Sequence, residues 1–211
     1  VAVAAAAKHM LEHRGSQAWL LCVDNADDDE VLDLLARRYL PHEGGSVVIT
    51  SRSAASYRWR ELGIGEPLAL EMLPANDSRV LLMRVSRSTC RTKDEREVLD
   101  DIDRLSDAER AALAVIVGES MLDGLPLAIE QAGAYIANNP TCTLESYVKL
   151  YTQRGLQLMD SAHSRLAADH EDDKGRRSVA TTWSLNFDSI QKSQPEAMQV
   201  LEMIVCLRPG V

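Results

Sequence analysis

Apolar residues fall along this chain in two textures, and the change between them divides it. In the first part they gather into short runs. Residues 8–14 have helical spacing that Gly15-Ser16 breaks before Trp19-Leu20-Leu21-Cys22-Val23, a run short enough for a buried strand. Asp24 stands at its carboxyl end. Asp27-Asp28-Asp29-Glu30 then precede residues 31–38, whose helical spacing puts acids first and bases last, as a helix macrodipole favours. Pro41 and Gly44-Gly45 end that helix and lead into Ser46-Val47-Val48-Ile49-Thr50, a β-branched run expected to be a strand buried on both faces. Arg52 follows closely. Residues 67–73 offer a third strand candidate, stopped by Pro74. Strands alternating with helices predict a parallel sheet.

Beyond Asn76 the apolar positions recur at intervals of three and four, the signature of helices. Ser106 and Glu109 form a capping box for a helix predicted to run over residues 111–121 and to close at Asp123-Gly124. Pro126 fits the first turn of the next helix, which runs to Asn138-Asn139-Pro140, and Thr143 can cap another through Tyr151. Residues 163–177 are charged and poor in large apolar side chains, so they read as a linker. Residues 178–190 and 195–207 then form two amphipathic helical stretches. No internal repeat is evident. The opening Val-Ala-Val, without Met and inside a helical pattern, suggests that an upstream part has been removed.

Composition narrows the function classes. With 211 residues, 45% of them hydrophobic, the chain can bury a core as one large or two small domains. A formal net charge of −9 opposes attraction to nucleic acid or to an anionic membrane surface. The four cysteines, Cys22, Cys90, Cys142 and Cys206, lie far apart without metal-finger spacing, and read as single thiols of a reducing, cytoplasmic compartment. No apolar run approaches the roughly 20 residues that span a bilayer.

The residue with the strongest chemical implication is Asp24. A buried strand ending in an aspartate suits a phosphate-site magnesium, because doubly wound sheets bind ligands at strand carboxyl ends and a hard cation wants a rigidly held anionic oxygen. A helix cap or simple turn explains the same aspartate. His9-Met10-Leu11-Glu12-His13 matches the H-x-x-E-H pattern of inverted zinc peptidases, but a third ligand is not recognisable and both histidines also fit a solvated helix face. Asp27 to Glu30 lack the alternation of a calcium loop.

The order of three segments gives these residues a context. WLLCVDNADD (19–28) resembles the Walker B or kinase-2 segment of NB-ARC proteins, the signalling ATPases of the STAND class. GSVVITSR (45–52) resembles their sensor 1 strand, and GLPLAIEQAGAYI (124–136) their GLPLA helix. SVATTWSLNFDSI (178–190) resembles the entry to the family's winged helix, especially in members that carry tetratricopeptide repeats.

The resemblance implies an α/β fold followed by an all-α one. Residues 1–74 would be the C-terminal part of a parallel-sheet P-loop NTPase domain, 75–162 a helical ARC-like domain, 163–177 a linker and 178–211 the start of a winged helix. It also implies roles. Asp24 would hold Mg2+ through a water, with Asn25 beside it at the catalytic position. Arg52 would sit near the terminal phosphate of ATP and report its presence through a fixed, always-charged fork, with Thr50 also among the cofactor-binding residues. Gly124, Leu125, Pro126 and Leu127 would approach the nucleotide, Pro126 with a flat apolar face toward the base, while Leu125 and Leu127 also read as core. The implied function is an ADP/ATP signalling switch of the NLR-like, innate-immunity kind. A closed ADP form would give way to an ATP form that self-associates through NB-ARC domains, beside flanking effector and repeat sensor domains.

Two departures bear on activity. Asn25 stands where many plant members have a second acid, and an amide can orient a water but cannot take its proton. Asp27 and Asp28 are candidate substitutes, and equally acids at a helix N-terminus. No GxxxxGK[ST] occurs in the chain, so the backbone cradle and lysine of a phosphate loop are missing. This stretch alone should bind nucleotide poorly, and at most slow hydrolysis is expected of the intact protein. The alternatives are a degenerate, non-catalytic NB-ARC scaffold and a STAND-class winged-helix transcription regulator.

Overall fold

Trp19–Val23 and Gly45–Ile49 form strands β1 and β2, paired in parallel in the register Trp19↔Gly45 through Val23↔Ile49. Parallel neighbours need a crossover between them. Here it is helix α2, Asp29–Leu34, which runs on into a π-helical turn at Leu35–Tyr39. Asp28 starts α2 as its N-cap, its Oδ1 accepting from the backbone N–H groups of Glu30 at 2.9 Å and Val31 at 3.1 Å. Helix α1, Ala2–Glu12, precedes the sheet. This computed structural model describes residues 2–13, 18–41, 43–52, 59–60, 63, 67–162 and 173–205, and the chain forms two compact units, Val1–Leu70 and Glu71–Val211.

The first unit has a small core. Ala26, Leu32 and Trp59 are buried, with Val23 and Ile49 packed against them. One close approach fixes the start of β2: a Cβ on Gly45 would lie 2.1 Å from the Trp19 ring, so only glycine lets the indole lie over that strand. The expectation of strands buried on both faces is corrected. Leu20 is 63% and Val48 49% exposed, while Leu21, Val23, Val47 and Ile49 are half-buried. Alternation rather than continuous burial results because, among the described residues, only one face of the sheet has a core beneath it.

Residues 67–74 form neither strand nor helix, which corrects the third strand. Leu68 and Leu70 are 86% and 91% exposed. The end of this run serves the helical unit instead: the Leu73 N–H donates to the Gly124 carbonyl at 2.9 Å, and Leu73 packs against the helical core.

The second unit is built from α3 (Ala75–Ser86), a 3-10 turn at Ser88–Cys90, α4 (Glu95–Asp103), α5 (Asp107–Val117), α6 (Pro126–Asn138), α7 (Leu144–Ala162), α8 (Asp173–Ser193) and α9 (Pro195–Val205). Its core holds Leu82, Met83, Val98, Leu113, Ile116, Leu122, Ile129 and Tyr147, all fully buried. α3 packs on α6, and their approach is tight enough that a Cβ on Gly133 would lie 2.7 Å from Val85 Cβ.

Local signals set the helix starts. Asp94 with Glu97 and Ser106 with Glu109 are reciprocal capping boxes, and Thr143 Oγ1 accepts from the Ser146 N–H at 3.2 Å at the head of α7. α5, however, ends at Val117 rather than near Met121. Its last carbonyls are satisfied by a turn that wraps back, with Leu122 N–H donating to Ile116 at 3.1 Å and Gly124 N–H to Val117 at 3.2 Å. α8 begins at Asp173, inside the stretch read as a linker, and residues 163–172 lie outside the described residues. Ser178 Oγ on α8 donates to the Met121 carbonyl at 2.5 Å, and Leu185 joins the same core as α3 to α7. No described helix is long and apolar enough to cross a membrane.

Candidate functional site

The β1–β2 register decides what meets at the carboxyl ends of the strands. Because Val23 pairs with Ile49, Asp24 and Thr50 emerge side by side. The ladder continues past the strands: Thr50 N–H donates to the Val23 carbonyl and Ala26 N–H to the Thr50 carbonyl, each at 2.9 Å. The Thr50 hydroxyl donates to Asp24 Oδ1 at 2.5 Å and accepts from the Asn25 N–H at 3.0 Å. One hydroxyl therefore fixes both the acid and the turn that follows it.

Asn25 sits at φ 56°, a left-handed backbone that asparagine tolerates better than most residues. This conformation aims its amide at Thr50. Its side chain is exposed and, among the described residues, has no hydrogen-bond partner. Asp24 is also exposed, and among the described residues its hydrogen bond is the one from Thr50 to Oδ1.

Asp27 and Arg52 make a second link between the same loops. Asp27 Oδ1 accepts from the Arg52 backbone N–H at 2.7 Å and from Ser51 Oγ at 3.4 Å, while Oδ2 accepts from Arg52 Nε at 2.5 Å. The Arg52 backbone hydrogen bond, then the guanidinium bond, holds the Asp27 carboxyl below the usual carboxylate range. A carboxylate so engaged is a weak proton acceptor, which argues against Asp27 as a substitute base. Asp28 is occupied as the cap of α2. The Asp27–Arg52 pair was not read from the sequence. Its signal lay in the strand register, which places the residues after Asp24 beside those after Thr50.

Gly124, Leu125, Pro126 and Leu127 belong to the second unit. Gly124 has φ 66°, and a Cβ there would lie 2.5 Å from the Leu73 carbonyl oxygen. Its glycine thus serves both the left-handed turn and the crossing of residues 72–73. Pro126 occupies the first turn of α6, as its missing N–H allows, and is exposed. Leu125 packs against the core, but Leu127 is 46% exposed. The core reading of Leu127 is corrected: α6 buries Ala128, Ile129, Ala132 and Gly133, and position 127 falls outside that stripe.

The H-x-x-E-H histidines do not converge on a site. His9 and His13 stack with centroids 4.0 Å apart, His13 Nδ1 is 2.8 Å from the His9 carbonyl oxygen, and Glu12 pairs with Lys8 at 3.7 Å. Among the described residues no group of three or more His, Cys, Asp or Glu could hold a metal ion.

No family model matches the chain, and no solved structure matches it. The chain is 28% identical over 224 aligned positions to a protein of Hyaloscypha variabilis described as a nucleotide-binding leucine-rich repeat (NLR)-like protein. The alignment takes in 95% of the chain and 20% of that relative. The similarity supports a loose NLR-like relationship, and the chain spans about a fifth of its relative's length.

Proposed function

We propose that this chain is the nucleotide-reading part of an NB-ARC-type switch in an NLR-like signalling protein. The observation that carries this reading is the pairing of an acid and a base at adjacent parallel strand ends, Asp24 fixed by Thr50 and Arg52 by Asp27. Strand carboxyl ends are where open α/β sheets bind ligands. An acid beside a phosphate-directed arginine is the pair needed to read a nucleotide bound with Mg2+.

The donor set fits a shared ion rather than a caged one. Asp24 supplies a hard anionic oxygen, and no group of three or more His, Cys, Asp or Glu among the described residues could hold a metal ion by itself. Mg2+ keeps waters and takes its other ligands from substrate phosphates, so one carboxylate suffices. When bound, Mg2+ would neutralise phosphate charge. Asp24 would orient it through a water, and the Arg52 guanidinium would meet the terminal phosphate of ATP.

Hydrolysis would be slow, since Asn25 cannot accept a proton and Asp27 is committed to Arg52. Slow turnover suits a switch whose ADP form rests and whose ATP form self-associates. We assign residues 1–74 to the nucleotide domain, 75–162 to an ARC-like domain and the helices from residue 178 to the start of a winged helix.

Calorimetric titration of the intact protein with ATP, with and without Mg2+, and with ADP tests the reading. Asp24→Ala should weaken Mg2+-dependent ATP binding by about tenfold, roughly 1.4 kcal/mol, while ADP binding survives. Equal loss of both nucleotides, or of neither, would remove Asp24 from this role. A wild-type protein that binds neither nucleotide would identify a scaffold.

A further inference from the structure

We propose that Asp27 is a positioning residue that selects which edge of Arg52 is offered to an incoming oxyanion, an inference that rests on Arg52 reading a phosphate. The geometry is unusual for a surface ion pair. Arg52 is 78% exposed at its side chain, and an isolated exposed arginine samples many rotamers, so that ordering it costs binding energy. Here one carboxylate holds both ends of the same residue: Oδ1 takes the Arg52 backbone N–H at 2.7 Å and Oδ2 takes Nε at 2.5 Å.

Those bonds close a ring that spans the torsions of the side chain. Arg52 is bent back over Asp27 with its Nε used up, and the two Nη groups are its remaining donors. The Nη pair makes no hydrogen bond among the described residues. A guanidinium anchored at Nε and open at Nη can still form the two parallel hydrogen bonds that suit a phosphate. Asp27 therefore leaves the binding edge free while removing most of the rotamer freedom that an oxyanion would otherwise have to freeze. Ser51 Oγ, at 3.4 Å from Oδ1, closes the same cluster.

The sequence distance explains why this role is hidden. Asp27 follows β1 and Arg52 follows β2, and the parallel register is what brings the two loops together. On its own, Asp27 reads as one acid in a run of acids before α2.

The test has two arms on the intact protein. In the first, NMR follows the Arg52 Nε–H. It should be a resolved, slowly exchanging signal in the wild type, retained in Asp27→Glu and lost to rapid exchange in Asp27→Asn and Asp27→Ala. In the second, ATP and ADP affinities are measured for Asp27→Ala, Arg52→Ala and the double variant. Asp27→Ala should lower the preference for ATP about threefold, Asp27→Glu should restore it, and the double variant should match Arg52→Ala alone.

Full additivity in the double variant, or an Nε–H that exchanges rapidly in the wild type, would overturn the positioning role. If Arg52→Ala leaves the ATP preference unchanged while Nε–H protection still depends on Asp27, the pairing stands and the phosphate-reading role of Arg52 falls. Asp27→Asn keeps the shape and one oxygen acceptor for the Arg52 N–H, so the comparison survives if Asp27→Ala disturbs the loop.

Discussion

The two units of this chain hold themselves together differently. In Glu71–Val211 large side chains such as Leu82, Met83, Ile116, Ile129 and Tyr147 are wholly buried, and helices from α3 to α8 contribute to one core. In Val1–Leu70 the buried cluster is Ala26, Leu32 and Trp59, with Trp19 and Tyr39 buried outside it, and the sheet keeps Leu20 and Val48 exposed. What the first unit has instead is polar cross-wiring between strand ends, Thr50 to Asp24 and Asp27 to Arg52. Apolar burial scales with area and supplies stability, while charged hydrogen bonds near the surface supply little stability and much orientation. The helical unit is built to stay folded, and the strand ends are built to point.

That contrast can be broken most directly in the helical core. Ile129→Ala removes a fully buried side chain and should cost about 2–5 kcal/mol, read as a lower urea midpoint. A loss under about 0.5 kcal/mol would mean that this core does not carry the unit.

A smaller effect should appear at the head of α5, where polar geometry does contribute to folding. Glu109 is held below the ordinary glutamate range, first by the Ser106 hydroxyl at 2.8 Å, then by the Ser106 N–H at 3.1 Å, with Arg87 adding to both at 3.1 Å. Its folded pKa lies under its unfolded one, so its contribution is complete above the unfolded value and is lost as pH falls through the folded value. Stability should therefore decline on acidification below the ordinary glutamate range, and Glu109→Gln should flatten that part of the pH profile. An unchanged profile would assign the acid sensitivity elsewhere.

The smallest effect is expected on the open sheet face. Leu20→Ser should change stability by less than about 0.5 kcal/mol, as exposed substitutions do, with the urea midpoint again the measurement. A loss above about 2 kcal/mol would show that something covers this face in solution.

Much of the fold was legible because its signals are local. The run at 19–23, the Ser106–Glu109 box and Pro126 at the start of α6 sit where the pattern puts them, and the strand expected at 46–50 lies one residue earlier, at Gly45–Ile49. Each depends on residues a few positions apart. The misreadings share the opposite property. The run at 67–73 has strand composition, yet Leu73 bonds to Gly124 of the helical unit, and a strand exists only where a ladder partner does. α5 stops at Val117 because residues 121–124 wrap back on its carbonyls, and Leu127 is exposed because α6 buries another stripe.

The sequence by itself determined the first strand, the Ser106–Glu109 cap, Pro126 at the head of α6, and that Asp24 would stand at a strand end. Only the tertiary structure decided that Thr50 grips Asp24, that Asp27 serves Arg52 rather than α2, and that Leu20 and Val48 are exposed on one face of the sheet. The physical reason is range. Caps and periodicity act within a turn or two of chain, whereas the partner of an exposed carboxylate is set by the register of strands whose contacts span 24 to 26 positions.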